Sequence, residues 1–288
     1  MFHWRLHRAL MSGREPEVNA WLKQCGDDVQ WVDGPVRDLP APSVQTGQGG
    51  LALTTLQDAM ALYRGRWASQ GSARRLYFSP TRYHVSQWLG RYAEDLPVLN
   101  AKGFFTQAGA IARLPGTPVG LDMENGFFLR PDSGLKPFTG ATVTPTDRPF
   151  QSWGAVAAAA AGVLHGQDPE RMIYLSPLRA LHEFEWRFWI VRRQVAASTP
   201  YAWESEPAWE APPAEAVGLA DAVARHPWQP DIAYVLDLSL DMIRRRWYIN
   251  EINAASTSGL YAAPVAPLFE ALRAAVLAEN AGNIAIGD

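Results

Sequence analysis

Residues 231–254 read DIAYVLDLSLDMIRRRWYINEINA: two strand-like runs, Asp231–Leu240 and Arg246–Asn253, joined by a tight polar connection at Asp241–Arg245. Successive side chains of a strand point to opposite faces, so Glu251 and Asn253 lie on the same one. A hairpin centred near Arg244 sets Asp237 opposite Glu251 and Val235 opposite Asn253, which brings Asp237 to that face too. Two carboxylates and an amide oxygen converging there leave negative charge that is costly unless something positive balances it. Hard oxygen donors without His or Cys suit Mg2+, with Mn2+ as the near substitute, and Mg2+ commonly takes one or two protein carboxylates plus substrate phosphates. A solvated strand face, or a carboxylate paired with an arginine, would show the same spacing.

Upstream, residues 127–140 read FFLRPDSGLKPFTG. A strand over Gly126–Arg130 delivers Arg130 to its end, Pro131 stops the ladder, and a loop with Ser133 and Gly134 leads to Lys136. A loop with available N–H groups between two cations is what polyphosphate recognition needs: arginine offers a planar fork, lysine a compact point charge. Of the 26 basic residues only Lys23, Lys102 and Lys136 are lysines, so 26 − 3 = 23 are arginines. In so Arg-biased a chain, the compact ammonium at 136 stands out. The segment reads equally as an ordinary hairpin loop with surface charges.

Between these two regions, residues 183–191 read EFEWRFWIV. Period-two alternation places Glu183, Glu185 and Arg187 on one face and the aromatics on the other. Such a face suits a ribose and a transferring phosphoryl group in a cleft, or surface salt bridges.

The remaining segments fill in the order of elements. Val29–Val32 and Arg75–Phe78 read as strands, Leu51–Trp67 and Tyr83–Tyr92 as helices, with a Pro- and Gly-rich loop at Leu39–Gly50: the grammar of a small α/β domain on a parallel sheet. Beyond residue 100, strands near Ala141–Thr144 and Arg171–Leu175, an Ala-rich helix over Trp153–His165 and a last helix over Val265–Glu279 suggest an α+β layer. The chain has 288 residues, 48% of them apolar and 19% charged, enough for a sizeable core. A net charge of −3 argues against nucleic acid as partner. Cys25 is the single cysteine, so a disulfide framework and a thiolate cluster are excluded. The longest apolar run, Ala155–Leu164, is half a membrane span, and Met1–Leu10 lacks a signal-peptide core; a cytoplasmic setting away from membranes is expected.

Taken in order, the three chemistry-bearing segments resemble the ATP-grasp fold. There, a strand lysine and a flexible loop close over ATP, a linker lines the adenine pocket, a Glu- or Asp-x-Arg strand follows, and a late hairpin supplies Asp and then Glu-x-Asn to Mg2+. Arg130 stands where lysine is usual, which resembles a clade with arginine on the strand and lysine in the loop; Ser256-Thr257-Ser258-Gly259-Leu260-Tyr261 also fits that clade. The resemblance covers about residues 125–262. It implies an ATP-grasp domain over 99–288, with a small lobe about 120–178 and a large lobe about 179–288, after an α/β domain over 1–98 of the kind that precedes such modules.

Residue by residue, the resemblance gives Arg130, Lys136 and Ser133 to the phosphates. It puts adenine near Tyr174–Leu178, with the backbone around Ser176 reading its edge, and the ribose on Glu183, with Glu185 as the alternative. Arg187, helped by Lys136, serves the γ-phosphoryl group. Asp237, Glu251 and Asn253 hold one or two Mg2+, and Ser256, Ser258 and Gly259 lie where acceptors bind. The implied activity is an ADP-forming ligase that joins small-molecule or peptide carboxylates to amines through an acyl phosphate, with a homodimer as the common assembly. A non-catalytic ATP sensor or scaffold, an ATP-grasp kinase and a purely structural protein stay as alternatives. Lys102 as a further phosphate lysine, His182 beside the ribose, and Trp203, Trp209 and Trp228 as acceptor-pocket residues are subsidiary expectations.

Overall fold

The structure is a computed structural model that describes residues 1–34, 49–65, 74–116, 121–146, 148–202 and 211–282. Most of the Leu39–Gly50 loop, Trp67, Trp203 and Trp209 lie outside the described residues. Contacts resolve the chain into two compact units, one of residues 1–79, 182–240 and 246–288, the other of residues 80–181 and 241–245.

The first unit starts with β1 (Phe2–His7), α1 (Glu15–Cys25), β2 (Asp28–Val32), β3 (Gly49–Leu53), α2 (Leu56–Arg64) and the two-residue β4 (Arg74–Arg75). Its parallel sheet has the order β2-β1-β3-β4. Strand β1 explains why the sheet needs a cover: Phe2, Trp4 and Leu6 alternate onto one face and are at most 1% exposed. Helix α1 starts with proline in its first turn and ends at Gly26, whose φ of +65° is the left-handed stop that glycine takes without strain.

A second sheet, order β10-β9-β11-β12, is built from β9 (Leu181–Val191), β10 (Gln194–Ala202), β11 (Ala233–Asp241) and β12 (Arg246–Ala254). Helices α5 (Ala214–Arg225) and α6 (Val265–Asn280) complete the unit. In α6, Leu268, Phe269, Leu272, Ala275 and Val276 recur at helical spacing and are fully buried. Phe269 lies 4.8 Å from the Trp4 ring and 5.5 Å from that of Trp21. The same core takes in Trp189 and Val235, so both sheets of this unit share one hydrophobic interior.

The second unit holds α3 (Val85–Ala93), β5 (Phe104–Gln107), β6 (Phe127–Pro131), β7 (Ala141–Val143), α4 (Trp153–Val163) and β8 (Met172–Pro177). Its antiparallel sheet has the order β5-β8-β6-β7. Phe127, Leu129, Ile173 and Leu175 pack against Val156 and Ala160 of α4, whose first turn is capped by Ser152 accepting from the Ala155 N–H at 3.3 Å.

Several expectations change. Leu51–Leu53 is strand rather than the start of a helix: Trp4 registers with Leu51, all three residues are completely buried, and Thr55 caps the helix that follows. The strand expected over Arg75–Phe78 is β4 alone, because Phe78 N–H turns back to the Leu76 carbonyl at 2.8 Å. β1, α1, β5, β10 and α5 had not been anticipated. By contacts, residues 1–79 belong with the β9–β12 sheet and residues 80–181 stand together. The physical reason is the common core, in which the apolar faces of β1 and α6 cover each other.

Asp27 fastens that core. Its buried carboxylate accepts from Arg273 Nε at 2.9 Å and from Trp4 Nε1 at 3.2 Å. Asp27→Ala strands both donors and is expected to lower unfolding free energy in urea by about 3 kcal/mol; Asp27→Asn, which keeps acceptance on one oxygen, lowers it less.

Candidate active site

The expected hard-oxygen face is assembled within the first unit. Arg187 on β9 grips Asp237 on β11 side-on, Nε to Oδ1 at 2.8 Å and Nη2 to Oδ2 at 2.9 Å, with both residues buried. Asn253 on β12 donates through Nδ2 to Asp237 Oδ2 at 2.9 Å and to Glu251 Oε2 at 3.0 Å. Alternation brings Asp237, Glu251 and Asn253 together as the spacing required, with Asn253 as the β12 residue touching Asp237.

Negative charge exceeds positive here. Glu185, two residues before Arg187, is held by Ser239 Oγ at 2.9 Å and Asn250 Nδ2 at 2.7 Å, both donating to Oε1. Burial, then the charges of Asp237 and Glu251, push its carboxyl up to about 7. Three carboxylates therefore face one guanidinium. Arg187 itself is raised: burial opposes its charge, but Asp237 more than offsets that.

This imbalance is the test of whether the residues suit a divalent cation. The donors are all oxygen, and the Asn253 amide hydrogens already stand between two carboxylates that call for positive charge; turned over, the amide presents its oxygen there instead. No group of three His, Cys, Asp or Glu that could hold a metal alone occurs among the described residues. Asp237 is engaged on both oxygens by Arg187, so Glu251 and the Asn253 oxygen are the readier ligands, and Asp237 would share an oxygen. With phosphate oxygens and water making up the coordination, the set fits Mg2+.

Two aromatic residues that the sequence reading gave no role meet at this place. The Arg187 guanidinium carbon lies 4.5 Å from the Tyr201 ring centre and 5.1 Å from that of Tyr261, and the two rings are 4.9 Å apart. Tyr201 registers with Glu185 across β10–β9, a pairing visible only once β10 is recognised. Tyr261 has φ +49°, a left-handed backbone that strains a tyrosine, and its ring presses on Gly259, where a Cβ would sit 3.2 Å from Cε2. A side chain at 259 would crowd that ring.

The other expected residues divide. Glu183 is exposed, on the same face of β9 as Glu185 and Arg187. Ser256 ties segments together: its hydroxyl accepts from the Tyr77 N–H at 2.9 Å and its carbonyl from the Thr54 N–H at 2.7 Å. Ser258 donates to the Ala254 carbonyl at 2.9 Å. Both serines are buried. His182 accepts from the Phe184 N–H, and Trp228 N–H donates to His226; each is a local turn contact.

In the second unit, Arg130 on β6 registers with Tyr174 on β8. The Tyr174 phenol donates to the Asn100 carbonyl and its ring packs 4.5 Å from Phe105, so this side chain is committed to the sheet. Ser176 is completely buried with its hydroxyl unpartnered, while Leu178 covers Gly126. The loop that carries Ser133, Gly134 and Lys136 is anchored where it begins. Asp132 accepts from both the N–H and hydroxyl of Ser86 at 2.7 Å, capping α3. Gly134 fits against Tyr83, where a Cβ would come within 2.8 Å. Ser133 accepts from the Leu135 N–H at 3.1 Å, and Lys136 follows exposed with φ +44°. Lys102 is exposed before β5.

A parallel α/β sheet and antiparallel sheets carrying Arg–Asp and Glu-x-Asn constellations define an ATP-grasp protein. Residues 129–274, just over half of the chain, match the family model described as ATP-grasp domain, R-2-K clade family 3, and the chain belongs to that family. Solved structures share the fold. A RimK domain protein ATP-grasp from Sphaerobacter thermophilus DSM 20745 is 14% identical with a TM-score of 0.54, covering 99% of this chain and 100% of that one. D-alanine–D-alanine ligase from Bacillus anthracis complexed with ATP is 12% identical, TM-score 0.56, covering 98% and 99%. The ATP-grasp ligase PsnB complexed with minimal precursor, Mg and ADP is 13% identical, TM-score 0.54, covering 96% and 97%. No curated protein matches in sequence. No helix among the described residues is long and apolar enough to cross a membrane.

The Glu185 carboxyl makes a prediction with a definite sign. Raised from 4.5 to about 7 in the folded protein, it favours folding when protonated. Its contribution is fully present below pH about 4.5 and is lost as pH rises through about 7, a loss of about 3 kcal/mol. Urea denaturation at pH 5 and pH 8 (roughly the two sides of that window) should show wild type losing stability relative to Glu185→Gln, and Mg2+ should reduce the gap.

Proposed function

We propose that this protein is an ATP- and Mg2+-dependent ligase that joins a carboxylate to an amine through an acyl phosphate, releasing ADP and phosphate. The observation that carries the reading is the Asp237–Glu251–Asn253 face beside Arg187, in a chain of the ATP-grasp family. Similar structures described as ligases, one with ATP and one with Mg and ADP, support it.

Mg2+, or Mn2+ in its stead, held by Glu251 and Asn253 with a share of Asp237, would neutralise phosphate charge when bound. Arg130 and Lys136 take the α- and β-phosphates, with Ser133 shaping the turn between them. Adenine lies near Tyr174–Leu178, read by the backbone about Ser176 rather than by the committed Tyr174 ring. Glu183 takes the ribose, because it is exposed whereas Glu185 is tied to Ser239 and Asn250.

Arg187 stays on Asp237 through Nε and Nη2 and offers Nη1, which makes no hydrogen bond among the described residues, to the transferring phosphoryl group. The γ-phosphoryl passes to a carboxylate oxygen while the bridging oxygen leaves on ADP. The amine nitrogen then attacks the acyl carbon, loses a proton, and phosphate departs with the oxygen the carboxylate contributed. Glycine at 259 and the buried Ser256 and Ser258 shape the acceptor end. Small molecules and peptides are the substrate class, and exposed Cys25, the one cysteine in the chain, supports a reducing, cytoplasmic setting.

Incubation with ATP, Mg2+ and a pool of amino acids and short peptides is expected to release ADP and phosphate; AMP and pyrophosphate would overturn the mechanism. Glu251→Gln should lose the Mg2+-dependent part of thermal stabilisation by ATP. Arg187→Lys, which cannot hold Asp237 side-on and serve a phosphoryl group together, should lower turnover on the order of a hundredfold or more. Arg130→Lys and Lys136→Arg should each raise KM for ATP; no change in either would remove them from the phosphate site.

A further inference from the structure

Arg5, in the middle of β1, is 2% exposed, yet its charge is poorly met. Nη1 donates to Gln30 Oε1 at 3.3 Å, on the neighbouring strand in register, whereas Nε and Nη2 have no hydrogen-bond partner. Burial lowers the guanidinium below its ordinary value, and Asp58 only partly restores it. A buried cation with two idle donors is expensive, and native proteins rarely keep one without a partner.

The identity of the idle atoms says what partner fits. Nε and Nη2 form the side-on fork of the guanidinium, the pair through which Arg187 holds Asp237 at 2.8 and 2.9 Å. That fork matches the two oxygens of a planar carboxylate. The location agrees. In the order β2-β1-β3-β4 the chain runs outward from β1 to β2 on one side and from β3 to β4 on the other, so β1 and β3 flank the topological switch point, where open α/β sheets bind ligands beyond their carboxyl ends.

The residues at those ends are polar and covered. His7 closes β1 and Thr54 follows β3; Thr54 Oγ1 donates to Asp58 Oδ2 at 3.1 Å, and His7 Nε2 lies 3.8 Å from the same oxygen. His7 Nδ1 accepts from the Ala9 N–H, which leaves Nε2 as the protonated nitrogen. Polar side chains gathered at this end suit a ligand more than a packed interior.

We infer that the switch point of the N-terminal sheet is a binding site for a small carboxylate, gripped side-on by Nε and Nη2 of Arg5, with Gln30 holding the third nitrogen in place. So enclosed a guanidinium admits a ligand of few heavy atoms, desolvated with it. Thr54 N–H donates to the Ser256 carbonyl, which joins this site to the segment following Asn253.

The test needs neither ATP nor turnover, so it stands apart from the ligase reading. The full chain is titrated in thermal-shift measurements with acetate, L-alanine and L-glutamate, against sodium chloride of equal ionic strength and inorganic phosphate. At least one carboxylate should raise Tm with concentration while chloride does not, and Arg5→Lys, which keeps the charge without the fork, should abolish the shift while leaving any shift with phosphate in place. Arg5→Met without ligand should be no less stable than wild type, since it removes a buried charge that Asp58 meets only in part. No carboxylate shift in wild type, a carboxylate shift surviving in Arg5→Lys, or a lower Tm for unliganded Arg5→Met would each overturn the site.

Discussion

The buried pair of Arg187 and Asp237 organises the residues around it. Placing a guanidinium and a carboxylate inside a sheet costs several kcal/mol of hydration per ion, and only a side-on pair of hydrogen bonds with further polar support recovers it. The surroundings supply that support: Asn253 donates to Asp237, and Tyr201 and Tyr261 offer ring faces to Arg187. Tyr261 reaches its place on a left-handed backbone, with glycine at 259 to admit the ring. Apolar residues would stabilise this position as well or better, so the ions point to chemistry rather than to stability.

Their placement depends on a core that joins distant parts of the sequence. Phe2 and Trp4 at the beginning of the chain and Leu268 and Phe269 near its end bury one another, with Trp189 and Val235 from the strands that carry Arg187 and Asp237. The alternation that turns Trp189 and Val235 inward turns Arg187 and Asp237 to the same side of their own sheet, where the partners described above meet them. Rigidity at the site is thus an outcome of packing beside it on the same face of the sheet.

The hairpin and the Glu-x-Glu-x-Arg strand were legible because their signal is local. A period of two fixes which side chains share a face, and hard oxygen donors narrow the ion. The strand at 127–130 was legible for the same reason, but Pro131 does not stop it: Pro131 registers with Ile173 and the Asp132 N–H still reaches the Met172 carbonyl at 3.0 Å. What lay hidden was set by tertiary context. Leu51–Leu53 carries helical spacing but is overruled by pairing with β1, and β1 itself, with His and Arg between its aromatics, looks like no ordinary core strand. Tyr201 could not be placed before β10 was known. Nothing in the spacing of Asp237 and Arg187 announced that they would bind each other, because fifty residues of chain separate the two.

The central claim is that these residues bring about transfer of a phosphoryl group to a carboxylate. It is tested most directly by turnover on carboxylates labelled with oxygen-18, with mass analysis of the phosphate released. The account predicts that each phosphate carries one labelled oxygen, taken from the carboxylate when the amine displaces it. Phosphate without label, formed at the same rate as ADP, would contradict it.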